Sequence, residues 1–116
     1  MNYVDGFICA VSNANKDAYT EHAQKFGALF KEFGALTVVD CWGDDVPEGT
    51  LTSFTMAVKR EANESVVFSW ITSPSKAVRD DAWKKLMADE RMKTASSPPF
   101  DGKRLIYGGF QMIAQS

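Results

Sequence analysis

Four segments of the chain have the residue types and the alternation of side chains that predict β-strands: residues 3–11, 35–42, 66–72 and 105–114. In the first strand Asp5 and Phe7 fall on the same face, and in the second Asp40 and Trp42 do. Both faces of these strands are largely apolar. The last strand is interrupted by Gly108 and Gly109, which indicates a bulge or a close backbone approach.

Two segments show helical periodicity. The first follows Asn13 or Asn15 as a cap and ends at Gly34; its apolar positions recur at three- and four-residue steps, at Tyr19, Ala23, Phe26, Phe30 and Phe33. The second begins with Ser73 as the cap and Pro74 at the first helical position, and runs to about residue 89. Its main apolar positions are Val78, Ala82 and Leu86, with Trp83 and Met87 beside them.

The remaining segments are rich in turn-forming residues. Residues 43–64 form a long excursion, with a short edge strand predicted near residues 54–58, and residues 96–99 form a loop. The order strand, helix, strand, strand, helix, strand is the ferredoxin-like β-α-β-β-α-β plan, an α+β fold with a four-stranded antiparallel sheet. We expect a single domain over residues 1–116, the common size for one hydrophobic core.

Two helices can cover only one face of such a sheet. The other face would carry Phe7, Trp42, Trp70 and Tyr107 or their neighbours, an apolar patch too large to be left in water. A second copy related by a two-fold axis is the commonest cover for such a patch. We therefore expect a homodimer in which two sheets lie face to face.

Composition and charge limit the kinds of molecule that the protein is expected to bind and the compartment in which it is expected to occur. The formal charge of −2 and a pI near 5.3 give no general attraction to phosphate backbones, so nucleic acid is an unfavoured partner. The sequence contains no apolar stretch of about 20 residues and opens without a basic segment followed by an apolar one, so we expect a cytoplasmic protein that does not span a membrane. Cys9 and Cys41 lie in apolar strands and are expected to be free thiols rather than a disulfide.

Several segments together resemble a known family. They are residues 3–7 (YVDGF), 30–36 (FKEFGAL), 40–42 (DCW), 66–71 (VVFSWI) and 99–110 (PFDGKRLIYGGF). Over nearly the whole chain these residues are similar to the YbaA-like family of uncharacterised bacterial proteins. The resemblance implies the dimeric α/β-barrel superfamily, whose other members include cofactor-independent monooxygenases, haem-degrading enzymes and small-ligand proteins. It implies the fold and the dimer, but supplies no established activity and no catalytic residues.

Asp5 and Asp40 are the least usual residues of the predicted strands, because a carboxylate among apolar neighbours is costly unless it is paired or used. Either could act as a general base or as a hydrogen-bonding anchor for a ligand. The alternative is that each lies near a strand end, in water or bound to Lys103 or Arg104.

Large rings on the strands could form a pocket for a flat organic molecule; they are Phe7, Trp42, Phe68, Trp70, Tyr107 and Phe110. Arg104 could contact an anionic group of that ligand. The alternative interpretations are ordinary core packing for the rings and a solvated strand start for Arg104.

Other candidate groups are weaker. His22 is the single histidine and could act as a general base, but no nucleophile or orienting partner is near in sequence, and a histidine at the border of the core is the alternative. Haem-degrading relatives generally carry an iron-binding histidine on the second helix, where this chain has none. Asp44, Asp45 and Glu48 do not have the spacing of a calcium loop and are expected to form a turn, so we predict no metal and no cofactor.

Three functions remain, in order. The first is a cofactor-independent enzyme that acts on a small organic molecule, with Asp40 as proton acceptor, Trp42, Trp70 and Tyr107 as walls and Arg104 as an anion contact. The second is a non-catalytic dimer that binds a metabolite or regulates through the same cavity. The third is an RNA-binding module that stacks bases on Phe68 and Trp70, which the acidic balance disfavours.

Overall fold

The predicted strands form one antiparallel sheet in the computed structural model, which describes residues 2–93 and 98–116. The strands are β1 (Tyr3–Ser12), β2 (Thr37–Trp42), β3 (Glu64–Ser73) and β4 (Ile106–Gln111), in the spatial order β2-β3-β1-β4. The helices are α1 (Lys16–Glu32), α2 (Phe54–Ala57), α3 (Lys76–Ala88) and α4 (Glu90–Lys93). This order and pairing confirm the ferredoxin-like plan.

The helix α1 begins and ends close to the predicted positions. Gly34 follows its last turn with a φ of 121°, a conformation that side chains rarely adopt, which explains the helix end there. Of the two predicted cap residues, Asn15 is the one at the cap position, although its side chain makes no hydrogen bond to the helix. The Asn13 side chain instead accepts a hydrogen bond from Ser65 Oγ at 2.5 Å.

The helix α3 begins two residues later than the sequence predicts. Ser75 is its cap, and Ser75 Oγ accepts a hydrogen bond from the Val78 backbone N–H at 3.2 Å. Ser73 is the last residue of β3 and is buried, so it belongs to the sheet instead. Pro74 therefore lies before the cap and not in the first turn.

The predicted edge strand near residues 54–58 is also wrong, because residues 54–57 form the short helix α2. Ser53 caps it by accepting a hydrogen bond from the Met56 N–H at 3.0 Å. The following residue, Val58, is fully buried against Ala10 and Val66. This packing covers one end of the sheet face that lies opposite α1 and α3.

The two sheet faces are now distinct. Side chains that pack under α1 and α3 include Phe7, Val38, Trp42 and Ile71. Register places the other set on the opposite face, which we call the open face: Val4, Gly6, Ile8, Ala10, Thr37, Val39, Cys41, Val66, Phe68, Trp70, Thr72, Ile106, Gly108 and Phe110. Ser12 and Glu64, the last pair of the β1–β3 ladder, share this parity, so the strands give the open face one charged residue, Glu64, which is buried and paired with Arg104.

The expected composition of the uncovered face needs correction. Trp70 does lie on the open face, beside Gly6 and Val39. Phe7, Trp42 and Tyr107 have the opposite parity and lie on the helix-covered face. Their neighbours in sequence, including Ile8, Cys41 and Ile106, take the open positions, so this face is apolar as expected but is built from different residues.

The glycine pair in β4 allows close approach and forms no bulge. Pairing between β1 and β4 continues without interruption, with Gly6 opposite Gly108 and Asp5 opposite Gly109. A Cβ atom on Gly109 would lie only 2.3 Å from Tyr3 Oη. A larger residue at position 109 would therefore displace the outer end of the Tyr3 side chain that crosses it.

The described part of the chain is a slab with extents of 38 × 38 × 21 Å. The predicted loop at 96–99 falls partly on residues 96 and 97, which lie outside the described residues. Cys9 and Cys41 are both free; Cys9 lies on the helix-covered face and Cys41 on the open face. Among the described residues no helix is both long and apolar enough to cross a membrane.

Candidate functional site

One row of residues crosses all four strands on the helix-covered face. Asp40 of β2 pairs with Ser69 of β3, Ser69 pairs with Phe7 of β1, and Phe7 pairs with Tyr107 of β4. Three of the predicted site residues, Asp40, Phe7 and Tyr107, therefore lie on one line. Strand spacing puts Asp40 and Phe7 about 10 Å apart along it.

A cavity of about 240 Å³ lies over this row, between the sheet and the helices α1 and α3. Most of its lining is apolar, and its polar groups gather at the β2 side. The lining residues are Phe7, Cys9, Tyr19, His22, Ala23, Phe26, Val38, Asp40, Ser69, Trp70, Ile71, Trp83, Phe100 and Leu105. The volume suits a small organic molecule.

Asp40 is held at the polar end of the cavity by two hydroxyl groups. Tyr19 Oη donates a hydrogen bond to Asp40 Oδ1 at 2.8 Å, and Ser69 Oγ donates to the same oxygen at 2.5 Å. The second oxygen, Oδ2, has no hydrogen-bond partner among the described residues. Asp40 is an exposed residue where the cavity meets the surface, so it presents a hydrogen-bond acceptor that two hydroxyl donors hold in place through one oxygen.

Tyr19 is the donor that fixes Asp40. Tyr19 belongs to α1, and its side chain is buried. Burial raises the pKa of its phenol far above the ordinary value, and the neighbouring Asp40 charge acts in the same direction. The hydroxyl therefore stays protonated throughout the physiological range. It serves as a permanent hydrogen-bond donor and not as a base.

Two further groups border the polar end. Burial lowers the pKa of His22, although the charge of Asp40 opposes this effect, so a neutral imidazole is favoured near pH 7. Its ring lies 6.0 Å from the rings of both Phe26 and Phe100. Burial raises the pKa of the Cys9 thiol to about 11, which makes it an unreactive part of the wall.

Trp83 of α3 borders the aromatic side of the cavity. Its ring lies 4.7 Å from the Phe30 ring, 6.1 Å from Phe26 and 6.3 Å from Phe7, measured between centroids. Within the described residues its indole Nε1 is the one buried side-chain nitrogen or oxygen without a hydrogen-bond partner. Such orphaned donors are rare in folded proteins.

A surface groove of about 430 Å³ runs between α1 and β2 and meets the cavity. Tyr19, Ala23, Val38 and Asp40 line both spaces. Trp42, predicted as a pocket wall, lines the groove and not the cavity, with Lys16 Nζ 5.4 Å from the centre of its ring. The groove therefore adjoins the cavity at its Asp40 end.

Asp5, predicted as a pocket residue, is paired elsewhere. Its carboxylate is buried and receives Arg79 Nε at 3.0 Å and Arg79 Nη2 at 2.7 Å on Oδ1. The suggested partners Lys103 and Arg104 are not the ones it uses. Asp5 and Tyr107 instead line a shallow groove beside β4, which shares Phe7 and Trp83 with the cavity.

Arg104, predicted as an anion contact, also lies outside the cavity. Its guanidinium binds both oxygens of Glu64, each at 2.7 Å, and in addition Asp101 and the Lys59 carbonyl. This arginine anchors the chain before β4 to the start of β3. The hydrogen bonds to Arg104 hold the pKa of Glu64 below its ordinary value.

Phe68 and the ring of Trp70, also predicted as pocket walls, lie on the open face by register. Their ring centroids are 5.7 Å apart. The surrounding strand positions offer no lysine or arginine to a phosphate backbone in the described part of this face. In the turn after β2, Glu48 pairs with Arg60 at 3.1 Å, and the described residues hold no cluster of metal-binding side chains.

Sequence reasoning missed three residues of the site: Tyr19, Ser69 and Trp83. Tyr19 and Trp83 have helical positions that face the core, so their rings were expected to pack and their polar atoms were not considered. Ser69 is the sole polar residue in the run from 66 to 71 and shares parity with apolar core positions. That polar residue in a continuous apolar strand was the available signal.

Comparison with known families identifies the chain. A family model described as a protein of unknown function, DUF1428, matches residues 2–102. The chain belongs to this family. It is 62% identical over 114 residues to the uncharacterised protein YbaA of Escherichia coli strain K12, covering 97% of both chains, and equally similar to YbaA of Shigella flexneri. The family resemblance noted from the sequence is confirmed.

Among solved structures, the chain is similar to CPII bound to ADP and bicarbonate, from Thiomonas intermedia K12. The sequence identity is 10% and the TM-score is 0.36, with 97% of this chain and 89% of that chain covered. A likeness at this level carries no argument about ligand or function.

Proposed function

We propose that this protein binds a small, largely apolar organic molecule in the cavity beneath α1 and α3. The observation that carries the proposal is the Asp40 carboxylate, an exposed group held in place by Tyr19 and Ser69 at one end of a largely apolar space. Ligand sites commonly combine apolar walls with a few fixed polar groups. The surface groove between α1 and β2 adjoins this end.

Catalysis by Asp40 is the second candidate. A carboxylate oxygen that faces a cavity and lacks a protein partner can accept a proton from a bound ligand, which is the role of a general base. Binding needs only the fixed acceptor that Tyr19 and Ser69 hold in place, whereas catalysis also needs a reactive bond in the ligand. Binding therefore ranks before proton transfer.

Two copies of the chain pairing through their open faces form part of the proposal. The open face exposes Phe68 and Phe110, with Phe54 exposed beside Phe68, and its one charged strand residue, Glu64, is buried and paired with Arg104. Four strands give a flat footprint of about 500 Å², and side-chain relief together with the flanking segment brings it towards the ~800 Å² that each partner contributes to a standard interface. The free thiols suit the expected cytoplasmic location.

The cavity proposal is tested with naphthalene as the probe and a variant that fills the space. Ala23→Leu adds three carbon atoms at the junction of groove and cavity, so we expect naphthalene affinity to fall by about tenfold or more. Ligand-observed NMR titration measures the affinity. The matched control is Ala77→Leu, an exposed α3 position that lines neither space.

Equal affinity in the wild type and Ala23→Leu would place the probe elsewhere, and no naphthalene binding to the wild type would overturn the proposal. Binding lost in a variant of the open face but kept in Ala23→Leu would point to the sheet surface instead. Product analysis by mass spectrometry of the same mixtures detects any chemical change and so separates catalysis from binding.

A further inference from the structure

The strand β2 has a free edge. It is the outermost strand of the sheet, and β3 is its one neighbour among the described strands. The Gly43 N–H donates to the Val66 carbonyl at 2.8 Å, in register with the β2–β3 ladder. Hydrogen-bonded and non-hydrogen-bonded pairs alternate along an antiparallel ladder, so the backbone N–H and C=O groups of Val38, Asp40 and Trp42 point away from β3. Such an edge is a template on which another extended chain can pair.

The surface groove between α1 and β2 runs along this edge. The same three residues, Val38, Asp40 and Trp42, line its β2 side. Its α1 side extends from Lys16 to Lys31, which is about 22 Å of helix. At about 3.3 Å per residue, an extended segment of about seven residues has this length. The groove therefore has the shape of an added strand.

The α1 side leaves room for a backbone beside the strand edge. Most of the helix residues that line the groove between its two lysines are small: Thr20, Ala23, Gly27 and Ala28. None of the α1 residues between those lysines that line the groove is charged. Small, uncharged side chains allow close approach of an extended chain.

The charges of the groove favour an acidic occupant. Lys16 and Lys31 are exposed at its two ends, and Asp40 lies between them. Lys16 Nζ lies 5.4 Å from the centre of the Trp42 ring, which places this charge at the end of β2. A two-fold copy paired on β2 would bring Lys16 of each copy towards Lys31 of the other, and like charges oppose that pairing.

We propose that the groove binds an extended peptide segment of another protein, about seven residues long, which adds a strand to β2 and places an acidic residue at each of the two lysines. In recognition by strand addition, backbone hydrogen bonds supply affinity and alternate side chains supply specificity. The antiparallel direction is expected because it is the more stable pairing. This proposal concerns the groove alone and needs no ligand in the cavity.

A peptide with blocked ends and the sequence Glu-Ala-Thr-Ala-Thr-Ala-Glu is the probe. Its glutamates and threonines share one face, which is turned towards α1. In an antiparallel added strand these residues also direct their N–H groups at β2, so methylating the two threonine nitrogens should weaken binding by about tenfold or more. Methylating the alanine nitrogens, which face solvent, should change it little. Calorimetric titration measures the affinities, and equal effects of the two methylated sets would overturn strand addition.

Charge reversals test the two ends of the groove. Lys16→Glu and Lys31→Glu should each weaken peptide binding by about fivefold at low salt, and less at high salt. A peptide with lysine in place of both glutamates should show the opposite preference. The matched control is Lys25→Glu, an exposed α1 position that does not line the groove. Equal peptide affinity in all three variants would refute the acidic occupant.

Amide hydrogen exchange of the wild-type protein locates the peptide directly. The peptide should slow exchange at Val38, Asp40 and Trp42, whereas Val39 and Cys41 already face β3 and should change little. Slowed exchange at β4 or on the open face instead would overturn the proposal. Slow exchange at the three β2 amides without peptide, lost on dilution, would assign the edge to a second copy and also overturn it.

The two proposals fail separately. No binding at millimolar peptide overturns the inference for the groove and leaves the cavity proposal standing, because naphthalene titration tests the cavity. Failure of naphthalene with binding of the peptide overturns the cavity proposal alone.

Discussion

At the scale of single residues, two charged side chains predicted to contact a ligand instead hold parts of the fold together. Asp5 and Arg104 were both expected near a ligand, and each forms a paired contact that joins separate segments of the chain. Asp5 ties β1 to α3 through Arg79, whose guanidinium also lies 5.1 Å from the centre of the Tyr3 ring. Arg104 ties the segment before β4 to β3 through Glu64.

The Arg104 contact gives a pH-dependent prediction. Arg104→Gln should lower the free energy of unfolding at pH 7 by more than the loss of an exposed ion pair does, because Glu64 loses both of its charge-assisted hydrogen bonds to Arg104. Arg104 holds the pKa of Glu64 below the unfolded value, so its contribution is present above pH ~4.3 and is lost as the pH falls through the folded value. The difference between wild type and variant should therefore shrink in acid.

Urea unfolding of both proteins at several pH values between neutral and acid measures this difference. The control is Lys85→Gln, which removes an exposed pair with Asp81 and should cost less than about 0.5 kcal/mol at any pH. A constant difference between wild type and Arg104→Gln down to the most acidic pH would contradict the assigned role of Glu64.

Residue order alone predicts which side chains share a face of the sheet. It does not predict which of the two faces the helices cover. The pairing of Asp5 with Phe7 and of Asp40 with Trp42 on common faces follows from strand parity and is correct. Because Phe7 and Ile8 are equally suited to a core, parity leaves the buried side undecided. The missed hydroxyl of Tyr19 shows the same limit, since its partner Asp40 is 21 positions away and comes close only after folding.

At the scale of secondary-structure elements, the structure differs from the sequence predictions at the short helix α2 and at the start of α3. Residues 54–57 have too few positions for periodicity to distinguish strand from helix, and the Ser53 cap decides the outcome. In residues 73–75, two serines flank a proline and either can cap a helix. The structure selects Ser75 because the β3 ladder extends through Ser73, opposite Tyr3.

The cap assignment is testable. Ser75→Ala should lower the free energy of unfolding by about 1 kcal/mol, because the Val78 N–H loses its acceptor. Ser75→Asp keeps an acceptor at the same position and should retain the stability, with the negative charge favourable at a helix start. Thermal and urea unfolding of the two variants provide the comparison; equal losses in both would contradict a capping role for the Ser75 side chain.

At the scale of the whole molecule, the apolar surface is distributed unevenly. The helix side of the slab is charged and carries ion pairs such as Lys76–Asp80, whereas the open face exposes aromatic rings. Phe110 is 60% exposed and Phe68 is 42% exposed. An exposed apolar patch of this kind is typical of contact surfaces, and the pairing of two copies proposed above would cover it.

The proposed pairing predicts that wild-type protein sediments with twice the mass of one chain at micromolar concentration. Phe68→Glu places a charge from each copy in the interface and should weaken association by about a hundredfold or more, because an unpaired buried charge costs at least ~3 kcal/mol. Met87→Glu is the control, since Met87 is 71% exposed on the opposite side of the molecule.

Analytical ultracentrifugation over a dilution series distinguishes the cases. A single-chain mass for the wild type over the whole series would refute the pairing. If that single chain also bound oligonucleotide with an affinity that falls steeply with salt, the open face would be a nucleic-acid surface instead.

The row of Asp40, Ser69, Phe7 and Tyr107 takes one residue from each strand, so its formation during folding depends on the register of the strands. A shift of one residue in any strand pairing would turn that strand's residue of the row to the opposite face of the sheet. The proposed cavity uses Asp40, Ser69 and Phe7 of this row, whereas Tyr107 of β4 lines the neighbouring groove, so the pairings of β3 with β2 and with β1 must both be in register for the cavity to form. Ligand capture would then report the alignment of these three strands.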